Sequence, residues 1–225
     1  IISYLCQISN RNMKTRKIRT ALYNVLPGEK AHALMAPRPK YIEGIEGVHP
    51  CPPVNSAILA LIVPFENELA LPLIKRVNRG KYHGGQIAFP GGKMEKEDAD
   101  ALQTALRECH EEIGVPEEKV SILGVLSDIY IPLSNFNITP SVGTTLQLPD
   151  FILSQDEVEK VILVKLRDLF DDRNKTTHSF VRHDHKIIAP GYKIGENFIW
   201  GATAMIIAEL EQLMKTNTFN HLGKL

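Results

Sequence analysis

Long apolar runs are missing from this chain. No stretch approaches the roughly 20 apolar residues that a membrane-spanning helix needs, so a membrane partner is not expected. An excess of one charge is missing too. Lys plus Arg and Asp plus Glu are 26 each, for a formal net charge of zero. That removes the basic surplus of a general nucleic-acid binder, so no nucleic-acid partner is expected. A phosphorylated ligand would have to be met by local cations or metal rather than by a global field. Cysteine is scarce: Cys6, Cys51 and Cys109 are far apart, and no C-x-x-C occurs. This argues against a disulfide framework and points to reduced thiols and a cytoplasmic setting. Internal repeats and low-complexity tracts are absent. The opening IISYLCQIS is apolar, but it is short and has no basic lead, so it is not read as a signal peptide. The first residue is Ile1, and Met13-Lys14 offers an alternative start.

What is present fits one globular domain with a full core: 225 residues, 44% hydrophobic and 23% charged. Met13 to Leu26 reads as a helix ending before Pro27-Gly28. Residues 27–53 are rich in proline and read as an extended arm laid over the fold. Residues 1–50 are thus taken as an N-terminal helix and arm, and 51–225 as the domain proper. Ser56 to Val63 is a continuous apolar run, as in a strand buried on both faces. Leu69 to Ile74 follows as the next strand after a hairpin-length turn. Gln86 to Phe89 is a short strand running into the turn Pro90-Gly91-Gly92. Downstream, Ser121–Tyr130, Asn137–Leu146, Val158–Leu166 and Tyr192–Trp200 read as strands. Asp168-Leu169-Phe170 starts a turn into a linker, and a helix runs from Ala202 to about Met214.

The densest chemistry lies between Gly84 and Val115. A helix begins at Asp98 or Asp100 and ends at Gly114, with Pro116 as a stop. Leu102, Ala105, Leu106, Cys109 and Ile113 form its apolar stripe. Glu108, Glu111 and Glu112 stand at i, i+3 and i+4, so their carboxylates share one face. Like charges at that spacing cost roughly 0.2–0.5 kcal/mol per pair. They also sit near the helix C-terminus, where the macrodipole disfavours anions. A hard divalent cation would offset both costs. Acids on a surface helix are more often a plain solvated face, so the residues around them decide the reading.

Those residues resemble the Nudix box, G-x5-E-x7-R-E-U-x-E-E-x-G-U with U aliphatic. The matches are Gly92, Arg107, Glu108, Glu111, Glu112, Gly114 and Val115. Asp98 takes the place of the first Glu, one residue further from Arg107, and Cys109 takes an aliphatic position. Upstream, Leu73-Ile74-Lys75-Arg76, Lys81, Gly85 and Phe89-Pro90-Gly91-Gly92 resemble the signature preceding the box in bacterial coenzyme A diphosphatases. Pro72, Ile74, Val77 and Lys81 depart from that signature. Lys81 can meet a phosphate as a point charge but lacks the fork of an arginine. Leu26 to Pro37 resembles the arm that such bacterial members carry.

The resemblance implies an α/β fold, the Nudix α/β/α sandwich with a mixed central sheet. It implies hydrolysis of a diphosphate linkage with Mg2+ or Mn2+ as cofactor. The cation would be held by Glu108, Glu112 and Glu111, with a backbone carbonyl of the Gly91-Gly92 turn. Glu111 would orient or deprotonate a water. Arg107 would pair with Asp98, and Gly91, Gly92 and Gly114 would be structural. Arg76, Arg79, Lys81 and His83 would contact substrate phosphates, while Phe136 would stack on a base or belong to the core. Glu157 or Glu159 would supply an extra acid. The expected substrate is coenzyme A or an acyl derivative. ADP-ribose, dinucleotides, or a binding module without turnover are the alternatives, and a homodimer is left open. His178, His183, Asp184 and His185 form a charged loop in which His183-x-His185 lacks the partners of a metal site. Gly223-Lys224-Leu225 only faintly resembles a peroxisomal address.

Overall fold

The computed structural model describes residues 15–38, 51–78, 84–182 and 185–219. The apolar run at its centre becomes β1 (Val54–Phe65). Glu66 and Asn67, with φ of 45° and 64°, turn the chain back into β2 (Glu68–Arg76). Two consecutive left-handed residues match the twist of a tight hairpin. β1 is central because it is paired on both sides and at its start. β3 (Ile87–Ala88) pairs with the end of β2, and β4 (Gly91–Lys93) runs antiparallel to the start of β1, with Ala57 opposite Gly92. β7 (Phe136–Thr144) runs parallel to β1, from Val54 opposite Phe136 to Ile62 opposite Thr144. β5 (Ser121–Val125) and β6 (Ile129–Ile131) pair with β7, and β8 (Val158–Lys165) pairs with β2. The result is one mixed sheet of eight strands.

Strand alternation splits the core in two. Odd residues of β1, Ala57, Leu59, Leu61 and Val63, meet Ala105, Leu106, Cys109 and Ile113 of α3 (Ala101–Ile113). α1 here denotes residues 15–22 and α2 Glu29–Met35. The opposite face, with Ala60, Ile62, Leu71 and Leu73, packs against both of these and against α5 (Ala202–Phe219). Helices on both faces of a mixed sheet make the expected α/β/α sandwich. A second sheet of three strands, β9 (Lys175–Arg182), β10 (His185–Ile194) and β11 (Asn197–Trp200), joins this second core through Tyr192 and Ile199.

Several segments differ from their sequence-based expectation. The arm holds α2, whose Glu-Lys-Ala-His-Ala-Leu-Met run contains strong helix formers. Ser121–Tyr130 is two strands, because pairing with β7 breaks between Val125, opposite Ser141, and Ile129, opposite Ile138, where four steps of one chain span three of the other. Asp168–Phe170 belongs to a short helix, α4 (Leu166–Leu169), and its end. Tyr192–Trp200 is a hairpin that reverses at Gly195, with φ of 57°. His178 lies in β9 and stacks on Phe198 at 3.9 Å, rather than in a charged loop. His183 and Asp184 lie outside the described residues. No helix among the described residues is long and apolar enough to cross a membrane.

Candidate active site

The acids are presented by a helix fixed at both ends. Asp100 is the N-cap of α3 and accepts from the Gln103 N–H at 2.8 Å. The Gln103 side chain reaches back to the Ala99 N–H at 3.0 Å, a close relative of the capping box. At the other end Gly114 adopts φ of 73°, and its N–H bonds the His110 carbonyl at 2.8 Å. The N–H groups of Ile152 and Ser154 then satisfy the carbonyls of Ile113 and Glu112, each at 3.0 Å. At this C-terminal end the carbonyls of His110, Glu112 and Ile113, which a helix normally leaves orphaned, thus have partners.

Arg107 organises the exposed side of the site. Its Nε and Nη2 grip both Asp98 oxygens, at 3.0 and 2.9 Å. Nη2 also donates to the Lys93 carbonyl at 3.1 Å, tying α3 to β4. Nη1 bridges Glu108 and Glu111, at 3.0 and 3.1 Å. Asp98 is buried and also accepts from the Glu95 N–H and the Thr104 hydroxyl. The Arg107 fork, with help from those donors, outweighs burial and holds the Asp98 carboxyl well below the usual carboxylate range.

Glu112 is fully buried. One oxygen accepts from the Gly91 N–H at 2.9 Å and the other from Arg76 Nη1 at 3.0 Å. Burial pushes its carboxyl up to about 7; Arg76 and the Gly91 N–H oppose this, while Glu108 and Glu157 add to it. Burial likewise raises the Glu108 carboxyl, against the pull of Arg107 and with the push of Glu111 and Glu157. The β4 turn touches these acids directly: a Cβ on Gly92 would collide with the Glu108 carboxylate. Glu111 is exposed.

The structure therefore brings Arg107, Glu108, Glu111, Glu112, Asp98, Gly91, Gly92 and Arg76 together. Arg76 reaches Glu112 from the end of β2, where the pairing with β8 slips between Lys75 and Arg76. Such irregularities re-aim side chains beside active sites. Arg79, Lys81 and His83 lie outside the described residues. Phe136 is half-buried, with Lys93 Nζ 5.7 Å from its ring centre. Of the two downstream acids, Glu157 acts electrostatically on Glu108 and Glu112, whereas Glu159 pairs with Lys75 at 2.7 Å. Two contributors escaped the sequence reading. Lys93 supplies a carbonyl to Arg107 and a cation over Phe136; its place directly after Gly92 was the available signal. Thr104 supports Asp98 at 2.9 Å, six residues along, and carried no signal beyond a polar residue on a helix. Cys109 is buried and its thiol is pushed up to about 12 by burial, so it packs as a small hydrophobe.

Among the described residues no three of His, Cys, Asp and Glu converge as they stand on one cation position. The reason is visible: Arg107 Nη1 lies between Glu108 and Glu111, and Arg76 occupies Glu112. The donor set itself suits a hard divalent ion, since it is all oxygen and includes two carboxylates whose burial disfavours their charge.

Comparison with known proteins agrees with this geometry. A NUDIX domain model matches residues 55–183, more than half of the chain. An uncharacterized Nudix hydrolase NudL of Enterobacter sp. (strain 638) is 34% identical over 161 residues, covering 70% of this chain and 82% of the relative. A NudL of Pectobacterium atrosepticum is 35% identical over 158 residues, covering 69% and 80%. Solved structures are more distant. A NUDIX hydrolase from Nitrosomonas europaea is 20% identical with a TM-score of 0.48, covering 78% of this chain and 76% of that one. A C. elegans Ap4A hydrolase binary complex is 16% identical with a TM-score of 0.46, covering 76% and 99%. With the family model spanning most of the central sheet and the NudL relatives matched over most of their length, this chain belongs to the Nudix hydrolase family.

Proposed function

We propose that the protein hydrolyses the diphosphate linkage of coenzyme A or an acyl-coenzyme A, giving a phosphopantetheine and adenosine 3′,5′-bisphosphate. The observation that carries this reading is the acid face of α3 pressed against the Gly91-Gly92 turn, with Arg76 at its edge. Glu108, Glu112 and Glu111 would hold Mg2+ or Mn2+, with a carbonyl of the Gly91-Gly92 turn. Bound there, the cation would offset charge on the bridging phosphates and acidify a water. Glu111, the exposed acid of the three, would turn from Arg107 toward that water and take its proton. General-base help of this kind is typically worth roughly 10²–10⁴-fold. Glu157, whose charge reaches Glu108 and Glu112, is the better of the two downstream acids for a supporting role.

Arg107 acts mainly by position. Its fork on Asp98 and its bond to the Lys93 carbonyl hold β4 against α3, which keeps the Gly91-Gly92 turn beside the acids. Arg76, paired with Glu112 at the edge of the acids, would meet substrate phosphate. Arg79 and Lys81 would add further phosphate contacts, and Phe136 beneath Lys93 would meet the base. The coenzyme A reading rests on Arg76 and Phe89-Pro90-Gly91-Gly92, which follow the diphosphatase signature. Val77 and Lys81 depart from that signature and favour a second reading, cleavage of ADP-ribose or dinucleotides. A cytoplasmic setting rests on the sparse, separated cysteines.

A substrate panel separates the two readings. Coenzyme A, acetyl-coenzyme A, ADP-ribose and a dinucleotide are incubated with magnesium or manganese, and the products are resolved by chromatography. Preferred release of phosphopantetheine is the expected result. Turnover of the other diphosphates without coenzyme A would replace this substrate while keeping the site.

A further inference from the structure

An open cavity of about 640 Å³ lies beside the acids, lined by Val77, Ile152, Leu153, Gln155, Val158 and Glu159. That volume is in the range of small-molecule sites. Its walls are the segments that hold Glu112. Val77 directly follows Arg76, the partner of Glu112, and its N–H bonds the Glu157 carbonyl at 2.9 Å. Across from it, Ile152 and Ser154 are bonded to the last carbonyls of α3, including that of Glu112. The cavity is therefore tied through the backbone to the helix end and the strand end that carry Glu112 and Arg76.

Its lining has a definite character. Four of the six residues are apolar, and none is lysine or arginine. Gln155 provides one neutral amide, and the single carboxylate, Glu159, is already paired with Lys75. Ile152 forms an apolar rim, 73% exposed. Such a wall does not suit a nucleotide bearing an additional phosphate, which needs cations. It suits an uncharged chain in which apolar segments alternate with amides. Cation and aromatic ring stand elsewhere, at Lys93 over Phe136.

We infer that this cavity binds the pantetheine arm of the substrate, with its thiol or acyl end, and so sets the polarity with which the substrate crosses the acids. The inference rests on the coenzyme A reading above. The diphosphate lies over Glu108, Glu111 and Glu112, the arm enters between Val77 and Ile152, and the nucleotide half extends away from the cavity.

The two product halves report on the two sides separately. Inhibition constants of 4′-phosphopantetheine and of adenosine 3′,5′-bisphosphate are measured with KM and kcat for coenzyme A. The wild type is compared with Gln155→Trp, which fills the cavity from an exposed loop, and Ile152→Ser, which removes the exposed rim; melting temperatures confirm that both fold. In both variants the phosphopantetheine constant and KM should rise, by about tenfold for the filled cavity. Adenosine 3′,5′-bisphosphate should stay within about twofold, as expected of a site not touched, and kcat should hold. Unchanged constants for both halves, or equal losses on both, would overturn the inference and leave the substrate reading standing. A wild type that cleaves ADP-ribose but not coenzyme A would overturn the substrate reading, and this inference with it.

Discussion

Gly92 has no room for a side chain, because a Cβ there would meet the Glu108 carboxylate. Gly92→Ala must therefore push the turn or the acid aside. A displacement of an ångström at a reacting centre costs on the order of a hundredfold in rate. We expect a loss of that size in kcat/KM with a far smaller change in melting temperature. Equal activity would show that the turn does not set the site. Glu112 carries the other residue-level consequence. Its folded value, about 7, lies above the ordinary 4.5, so without metal the folded state favours the protonated acid. That contribution is fully present below the unfolded value and is lost as pH rises through about 7. In chelator, the melting temperature of the wild type should fall relative to Glu112→Gln as pH rises across that window. Parallel curves would contradict it. That Gly92 and Glu112 share one site was legible in the sequence because their spacing is a motif. The pairing of Glu112 with Arg76 was not, because 36 positions separate them and a slip in strand pairing joins them.

At the scale of elements, α3 shows how far local chemistry reaches. Both of its ends were readable: Asp100 caps it, and Gly114 takes the left-handed conformation that closes it. Asp98, the other N-cap candidate, instead serves the Arg107 fork and the Glu95 N–H. The two aspartates should therefore fail differently. Asp100→Ala should cost about 1 kcal/mol of stability, the usual worth of a cap, and leave turnover nearly intact. Thermal unfolding and a coenzyme A assay check both halves of that statement, and a large loss of turnover would contradict it. Where the sequence misled, local pattern competed with pairing. β5 and β6 look like one apolar run, and only their register on β7 divides them. β10 and β11 also read as one strand, although Gly195 marks the reversal. Charged and histidine-rich residues hid β9, since a strand whose exposed face is polar loses the plain apolar signal.

At the scale of the whole molecule, the N-terminal helices and α5 close one face of the sheet around a buried carboxylate. Glu209 of α5 is fully buried. It accepts from the Gly28 N–H at 3.0 Å and the Ser127 hydroxyl at 2.7 Å, and His32 Nε2 lies 2.8 Å away. Burial alone would push its carboxyl up, but His32, Ser127 and the Gly28 N–H together hold it below the usual value. Glu209→Ala would strand those donors, and breaking such a buried pair costs about 3–5 kcal/mol. The expected result is a large drop in melting temperature with faster amide exchange in α2. A change within surface-mutation range would show that packing alone holds the arm. No periodicity could reveal this link, because His32 and Glu209 stand 177 positions apart and each looks like an ordinary helix residue. The two-faced sandwich, by contrast, was legible through its family motif and through the apolar run of β1 that splits the two cores.

The measurement that bears most directly on the central claim is coenzyme A cleavage by the wild type and by Glu112→Gln, with magnesium and after its removal by chelator. The wild type should release phosphopantetheine and adenosine 3′,5′-bisphosphate only with the metal, while a folded Glu112→Gln should lose most of that turnover. Metal-independent cleavage, or near-wild-type turnover by Glu112→Gln in saturating magnesium, would contradict the assignment of the α3 acid face as the active site.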